Sequence, residues 1–184
     1  MTSVGIKKPE ELKEEGLALF KQGRREEALS VFREAAEGYS NADDLQGQGE
    51  MLNNIGVIHR LDGSWKAAEE ALIEANEIFA IDGDKVRQAQ VLGNLGDLSS
   101  RRRDYEKAEG YYSDSSALFA SAGEMRMQAD VLRALSLMHI RRRNLWLAVD
   151  SMQKSLEVRP KISLPQRMLS WLLQLAKKVM SGGQ

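Results

Sequence analysis

VLGNLGDLSSRRRDYEKAEGYYSDSSALF, Val91 to Phe119, sets the period on which the rest of the chain is built. It reads as two amphipathic helices around a short turn, and its landmarks recur at a fixed interval. Gly96 has counterparts at Gly56 and Gly16, and at Ser136, each 40 residues from the next. Twelve residues beyond each of these stands an alanine: Ala28, Ala68, Ala108 and Ala148. A constant period in this range marks stacked helical repeats, units that bury their apolar faces only against one another.

Working outward, the period divides the chain into four units at about 9–40, 45–80, 85–120 and 125–160. Each reads as helix, short turn, helix, then a longer link, and none shows the period-two alternation of a strand. Pro9 suits a first helical turn, where its missing N–H is not needed, and Gly23 is a natural helix stop. Glycine in mid-helix costs about 1 kcal/mol relative to alanine, tolerable where a second helix must approach closely. The matched alanines are the expected facing residues, with Phe32, Leu72, Tyr112 and Met152 filling the space between neighbouring units. Residues 1–8 read as a flexible lead-in, 163–180 as a C-terminal amphipathic helix, and 181–184 as a free tail.

Composition narrows the function classes. The 184 residues are 42% hydrophobic and 29% charged, the balance of a well-folded helical protein. The absence of cysteine excludes disulfides, zinc–thiolate sites and thiol nucleophiles. No apolar run reads as a secretory signal or a membrane span, so a cytoplasmic location is expected. The formal net charge of -1 conceals an asymmetry, for residues 125–184 hold 11 basic and 3 acidic side chains. An acidic body with a basic end points to an anionic surface or partner at that end.

These residues resemble the tetratricopeptide repeat. Ile55-Gly56 and Leu95-Gly96 match its Leu-Gly pair, DGSW at 62–65 and RDY at 103–105 its turn, and the four alanines its first alanine. Ala35 and Ala75 match its second alanine, Pro160 its closing proline. The period exceeds the usual ~34 residues, and the NIG and NLG triplets at 54–56 and 94–96 are similar to the long repeats of kinesin light chains and bacterial regulators. The resemblance implies an all-α fold: a right-handed α-solenoid of four helix pairs plus a C-terminal capping or amphipathic helix. Departures are Ser115 and Ser155 for the second alanine, Ser136 for glycine, and Arg103 and Arg143 at a turn position that is usually glycine. A left-handed arginine there costs of the order of 1 kcal/mol; otherwise the turn has changed.

The resemblance also implies a binding face. First helices of such pairs line a concave groove that holds peptides, and Asn54 and Asn94 match the asparagine that bonds a ligand's backbone. An amide both donates and accepts, as a backbone requires. Lys13, Leu17, Glu50, Asn53, Val57, Arg60, Gln90, Asp97, Arg101, Arg133, Leu137 and Arg141 fall on the same expected face. The carboxylate clamp of chaperone-binding members is not matched: Lys13 and Asn54 fit, but Leu17, Gln90 and Asn94 do not. The expected function is therefore a non-enzymatic adaptor for a protein or peptide partner.

Two arginine triplets, Arg101, Arg102, Arg103 and Arg141, Arg142, Arg143, lie one repeat apart and are expected to form a basic ridge, continued weakly by Arg60 and Arg24. Cations near a helix C-terminus offset its dipole, but two triplets exceed that need and suit an acidic ligand. The acidic whole and the lack of an aromatic platform argue against nucleic acid. His59 and His139 share a repeat position two units apart, too far to share a metal ion, and no nucleophile–base pair or phosphate loop emerges. No cofactor and no metal site is expected.

In the C-terminal helix every polar side chain falls within an arc of about 120°. Leu164, Met168, Trp171, Leu172, Leu175 and Val179 belong to the remaining apolar arc. Three readings stand: a cap on the last repeat, a surface for self-association as a homodimer, and a helix lying on a membrane surface. The last two make the chain, alternatively, a structural assembly factor.

Overall fold

The computed structural model describes residues 7–159, 161 and 163–181, with the side chains of residues 180 and 181 excepted. The described residues form nine α-helices and no strand. They are α1 Pro9–Lys21, α2 Arg25–Asn41, α3 Leu45–Leu61, α4 Trp65–Asp82, α5 Lys85–Arg101, α6 Tyr105–Ser121, α7 Met125–Arg141, α8 Leu145–Glu157 and α9 Leu164–Ser181. The flexible lead-in expected at 1–8 falls almost wholly outside the described residues; Lys7 within it pairs with Glu15 at 2.5 Å. Pro160 and residues 182–184 of the expected tail also lie outside them.

Helix ends follow one rule. A left-handed residue stands at positions 23, 43, 63, 83, 103, 123 and 143, every 20 residues. At most of them the next N–H reaches back five residues to a carbonyl, as Asp104 does to Ser99 at 3.0 Å and Asn144 to His139 at 2.9 Å. That bond satisfies a carbonyl the helix would leave orphaned. The following residue often starts the next helix as its N-cap: the side chains of Asp44, Asp84, Asp104 and Asn144 accept from the N–H three residues on. Such a cap contributes about 1 kcal/mol. Links between pairs are consequently as short as turns within pairs, three residues or fewer from α1 to α8. The longer link expected between pairs is absent because both joints use the same left-handed motif. Arg103 and Arg143 keep the conformation, at φ 64° and 62°.

Two compact units divide the chain at Val91 and Leu92, within α5. In the first, α1 to α4 pack each on its sequence neighbour. Its core holds Leu12, Leu19, Phe32, Ala35, Tyr39, Met51, Ile55 and Ile58. A Cβ added to Gly16 would lie 2.5 Å from the Phe32 ring, and one on Gly56 2.6 Å from Leu72 Cγ. In the second unit α6 packs on α7, α7 on α8 and α8 on α9, while a Cβ on Gly96 would lie 2.7 Å from the Tyr112 ring. The large residues therefore seat against the glycine of their own pair rather than between units. Alanine spares that space at Ala28, Ala68 and Ala108, each fully buried.

The serine departures bring their own bonds. Ser136 donates to the Ala148 carbonyl at 2.7 Å, joining α7 to α8, and Ser155 donates to the Ala129 carbonyl at 2.6 Å. Both hydroxyls are buried and satisfied, so polarity costs little there.

Candidate functional site

The first unit holds a polar cleft of about 230 Å³ lined by Glu50, Asn53, Asn54, Phe79, Arg87, Gln90 and Val91. Its floor is apolar, because Phe79 and Val91 are each 1% exposed. Gly49 leaves room for that floor: a Cβ there would stand 2.8 Å from Phe79 Cζ. Three α3 residues within about one helical turn, Glu50, Asn53 and Asn54, form one wall, and the first turns of α5 form the other. Four of the lining residues, Glu50, Asn53, Asn54 and Gln90, are ones the sequence places on the expected groove face.

Charge at this cleft is organised. Glu50 takes the Lys13 ammonium of α1 at 2.8 Å, so Lys13 is committed to the wall. Arg87 donates to Asp84 at 2.8 Å and to Gln46 at 3.3 Å, which fixes its guanidinium at the rim. Burial pushes the Asp84 carboxyl up, but bonds from the Arg87 backbone and side chain outweigh it and hold it below its ordinary value. Among the described residues no hydrogen bond engages the half-buried Asn54 amide, leaving a donor and an acceptor beside an apolar floor. Arg87 and Phe79 were missed by the sequence reading. Arg87 lies three residues before Gln90, on the same face of α5, so helical spacing could have found it.

Val57 and Arg60 continue the α3 face and are half-buried, as is Leu17 on α1. Arg24, expected to extend the basic ridge, is taken locally by Glu27 at 2.6 Å, which ends the ridge at that point. His59 accepts from Arg33 at 3.3 Å; burial first and that neighbouring cation second lower its pKa, against a smaller opposing effect of Asp62.

The second unit carries the remaining expected residues. Asn94 is half-buried on α5. Asp97 accepts the Tyr112 hydroxyl at 2.6 Å and so ties α5 to α6. Arg101, Arg102 and Arg103 are all exposed where α5 ends, and Arg141, Arg142 and Arg143 occupy the same places where α7 ends. Arg142 pairs with Glu109 at 3.3 Å. On α7, Arg133 is exposed beside Asp130 at 3.5 Å and Leu137 is 47% exposed. His139 is 1% exposed, a core residue with its pKa lowered chiefly by burial.

Helix α9 packs on α8 and so covers the end of the last repeat, as expected of a capping helix, but not with its broad apolar arc. It meets α8 through a mixed stripe in which Leu173 and Ala176 lie beside polar anchors: Ser170 bonds Gln153 at 3.1 Å, and Lys177 pairs with Asp150 at 2.5 Å. The Lys177 ammonium also stands 5.8 Å from the centre of the Trp146 ring. Burial pushes the Asp150 carboxyl up, but Lys154 and Lys177 overcome this and hold it below its ordinary value. The apolar arc faces outward, with Leu164 74%, Trp171 63% and Val179 70% exposed.

Helix pairs of constant period, small residues beneath large ones, and an amide-lined face on the first helices belong together, and a family comparison agrees with them. Residues 47–121 match the tetratricopeptide repeat family. They are tetratricopeptide repeats. That span covers the second and third repeats, α3 to α6, and includes the wall of the cleft. The crystal structure of BtubC (BKLC) from P. vanneervenii is similar in fold, with a TM-score of 0.74 at 17% identity over 84% of this chain and 68% of that one. No curated protein sequence matches the chain. Tetratricopeptide repeats generally mediate protein–protein interaction and are typically scaffolds rather than enzymes. Among the described residues no group of three acidic or histidine side chains is placed to hold a metal ion, and no helix is long and apolar enough to cross a membrane.

Proposed function

We propose that this protein is a non-enzymatic adaptor of the cytoplasm that takes a partner's peptide segment in the cleft between α3 and α5. The observation that carries this reading is the cleft's chemistry: the Asn53, Asn54 and Gln90 amides around an apolar floor, with Arg87 fixed at the rim. A backbone needs donors and acceptors in alternation, and amides provide both. A volume of about 230 Å³ takes one or two side chains. Asn94, the equivalent of Asn54 one repeat on, serves the second unit in the same way. The exposed arginines at 101–103 and 141–143 favour segments rich in aspartate and glutamate. Each exposed charge adds modestly to affinity and more to on-rate and selectivity.

Selection of a displayed random-peptide library on the immobilised full chain tests the proposal. Enriched peptides should be acidic, and Asn54→Ala with Asn94→Ala should weaken them at least about 10-fold, the worth of two lost hydrogen bonds. Charge reversal at Arg101 and Arg141 should slow association and flatten its salt dependence. A selection that yields no enriched class, or peptides indifferent to Asn54 and Asn94, sinks this reading.

A further inference from the structure

We infer that the outward face of α9 is a docking surface for an anionic lipid bilayer, on which the helix lies parallel to the membrane. This goes beyond the peptide-binding reading and does not depend on it. The inference begins with the way α9 is held. Gln166, Ser170, Leu173 and Lys177 are half-buried, a single stripe at helical spacing turned to the repeat body. Ser170 and Lys177 pin that stripe to Gln153 and Asp150 of α8. The helix therefore cannot roll its leucines inward without breaking both contacts.

What remains outside has a definite composition. At 100° per residue, Leu164, Met168, Leu172, Leu175 and Val179 fall within a sector of about 80°, and they are 74%, 64%, 50%, 47% and 70% exposed. Trp171 stands at one edge of this sector, 63% exposed, and Lys178 and Arg167 follow it around the helix; both are exposed. Leu164 to Val179 spans about 22 Å at 1.5 Å per residue, long enough for a continuous apolar strip.

Charge selects the occupant. From Val158 to Gln184 the sequence has five basic residues and no aspartate or glutamate. The same helix of a second copy, paired face to face, would offer this rim no counter-charge. Antiparallel pairing about residue 172 would set Arg167 of one chain against Lys178 of the other. An anionic bilayer supplies every element at once. Acyl chains cover the leucines, headgroup phosphates pair with Arg167 and Lys178, and the indole of Trp171 sits at the boundary between them. The strip lies in the interface rather than across it, since no described helix is long and apolar enough to span.

The test is co-flotation of the full chain with vesicles of phosphatidylcholine containing 30% phosphatidylserine, against phosphatidylcholine alone, with sedimentation analysis of the free protein. The protein should float with the anionic vesicles and sediment as a monomer without them. Leu172→Glu should weaken flotation by at least about 10-fold, because a carboxylate enters the apolar interface. Arg167→Gln and Lys178→Gln should each weaken it roughly 5-fold. Helicity and melting should be unchanged by Leu172→Glu, whose side chain lies on the exposed face. Failure to float with anionic vesicles overturns the inference, as does equal flotation on phosphatidylcholine alone or indifference to Leu172→Glu in a folded protein. A dimer that Leu172→Glu converts to monomer also overturns it, by making a second copy the occupant.

Discussion

Replacing Arg103 by glycine should leave the protein more stable than replacing it by alanine, the reverse of the order found in helices. Arg103 holds φ at 64° and its N–H bonds the Ser100 carbonyl at 3.2 Å, with Asp104 reaching Ser99 at 3.0 Å. A left-handed L-residue costs about 1–2 kcal/mol. Glycine escapes that cost but loses about 0.5–1 kcal/mol through the freedom of its unfolded chain. Both variants lose the same cation beyond the helix end, worth about 0.3–1 kcal/mol, so this loss cancels between them. Glycine should therefore exceed alanine by about 0.5–1 kcal/mol here, whereas alanine exceeds glycine by about 1 kcal/mol inside a helix. In a chain of this length each kcal/mol moves Tm by roughly 2–4 °C. Urea titration followed by circular dichroism, on both variants at Arg103 and both at Arg143, reads the difference directly. Alanine variants equal to or more stable than glycine variants would refute the left-handed turn. The same glycine substitutions should weaken acidic peptides, because each removes an exposed cation.

Gly96→Ala should destabilise by about 1–3 kcal/mol despite alanine's better helix propensity, because its Cβ would stand 2.7 Å from the Tyr112 ring; thermal melting checks it, and Tyr112→Leu in the same chain should recover part of the loss. Ser136→Ala removes the 2.7 Å bond to the buried Ala148 carbonyl and should cost about 1–3 kcal/mol in urea titration. Burial lowers the His139 pKa, so the unfolded chain takes up more protons than the folded one below about 6.5. Stability should be level from pH 8 to 7 and fall as pH drops below 6.5, and His139→Gln should flatten that fall in Tm measured from pH 7.5 to 5.

The repeat was legible because a missing Cβ leaves an invariant mark. Gly16, Gly56 and Gly96 admit Phe32, Leu72 and Tyr112, and no other side chain fits beneath those rings and branches. Which partner each glycine admits was not legible, since periodicity gives the face of a helix and not the depth of a contact. The turns were half legible. Arg103 hid a left-handed position, yet Asp104 directly after it repeats the cap that follows the left-handed residues at 43 and 83. At the cleft, Asn53, Asn54, Glu50 and Gln90 were placed on one face by the family resemblance, which concerns first helices, whereas Phe79 lies on α4, a second helix.

The roll of α9 could not be read from its own sequence, because another helix fixes it. Gln153 on α8 is 3% exposed and Asp150 is half-buried, and both require polar partners. An unsatisfied buried polar group costs about 1–3 kcal/mol, more if charged; Glu157 and Lys154 of α8 answer part of it, and the polar stripe of α9 adds Ser170 and Lys177. Set against this, seven large apolar side chains of α9 are exposed, Leu169 among them, at a loss of about 1.5–3 kcal/mol for each that could have been fully buried. Two polar anchors do not offset seven exposed side chains of that kind. The orientation is therefore favourable as a working state only where something else removes those side chains from water. That requirement joins the fold to the docking surface we infer: α8 holds the leucines outward, and on that inference Arg167 and Lys178 along one edge select what receives them.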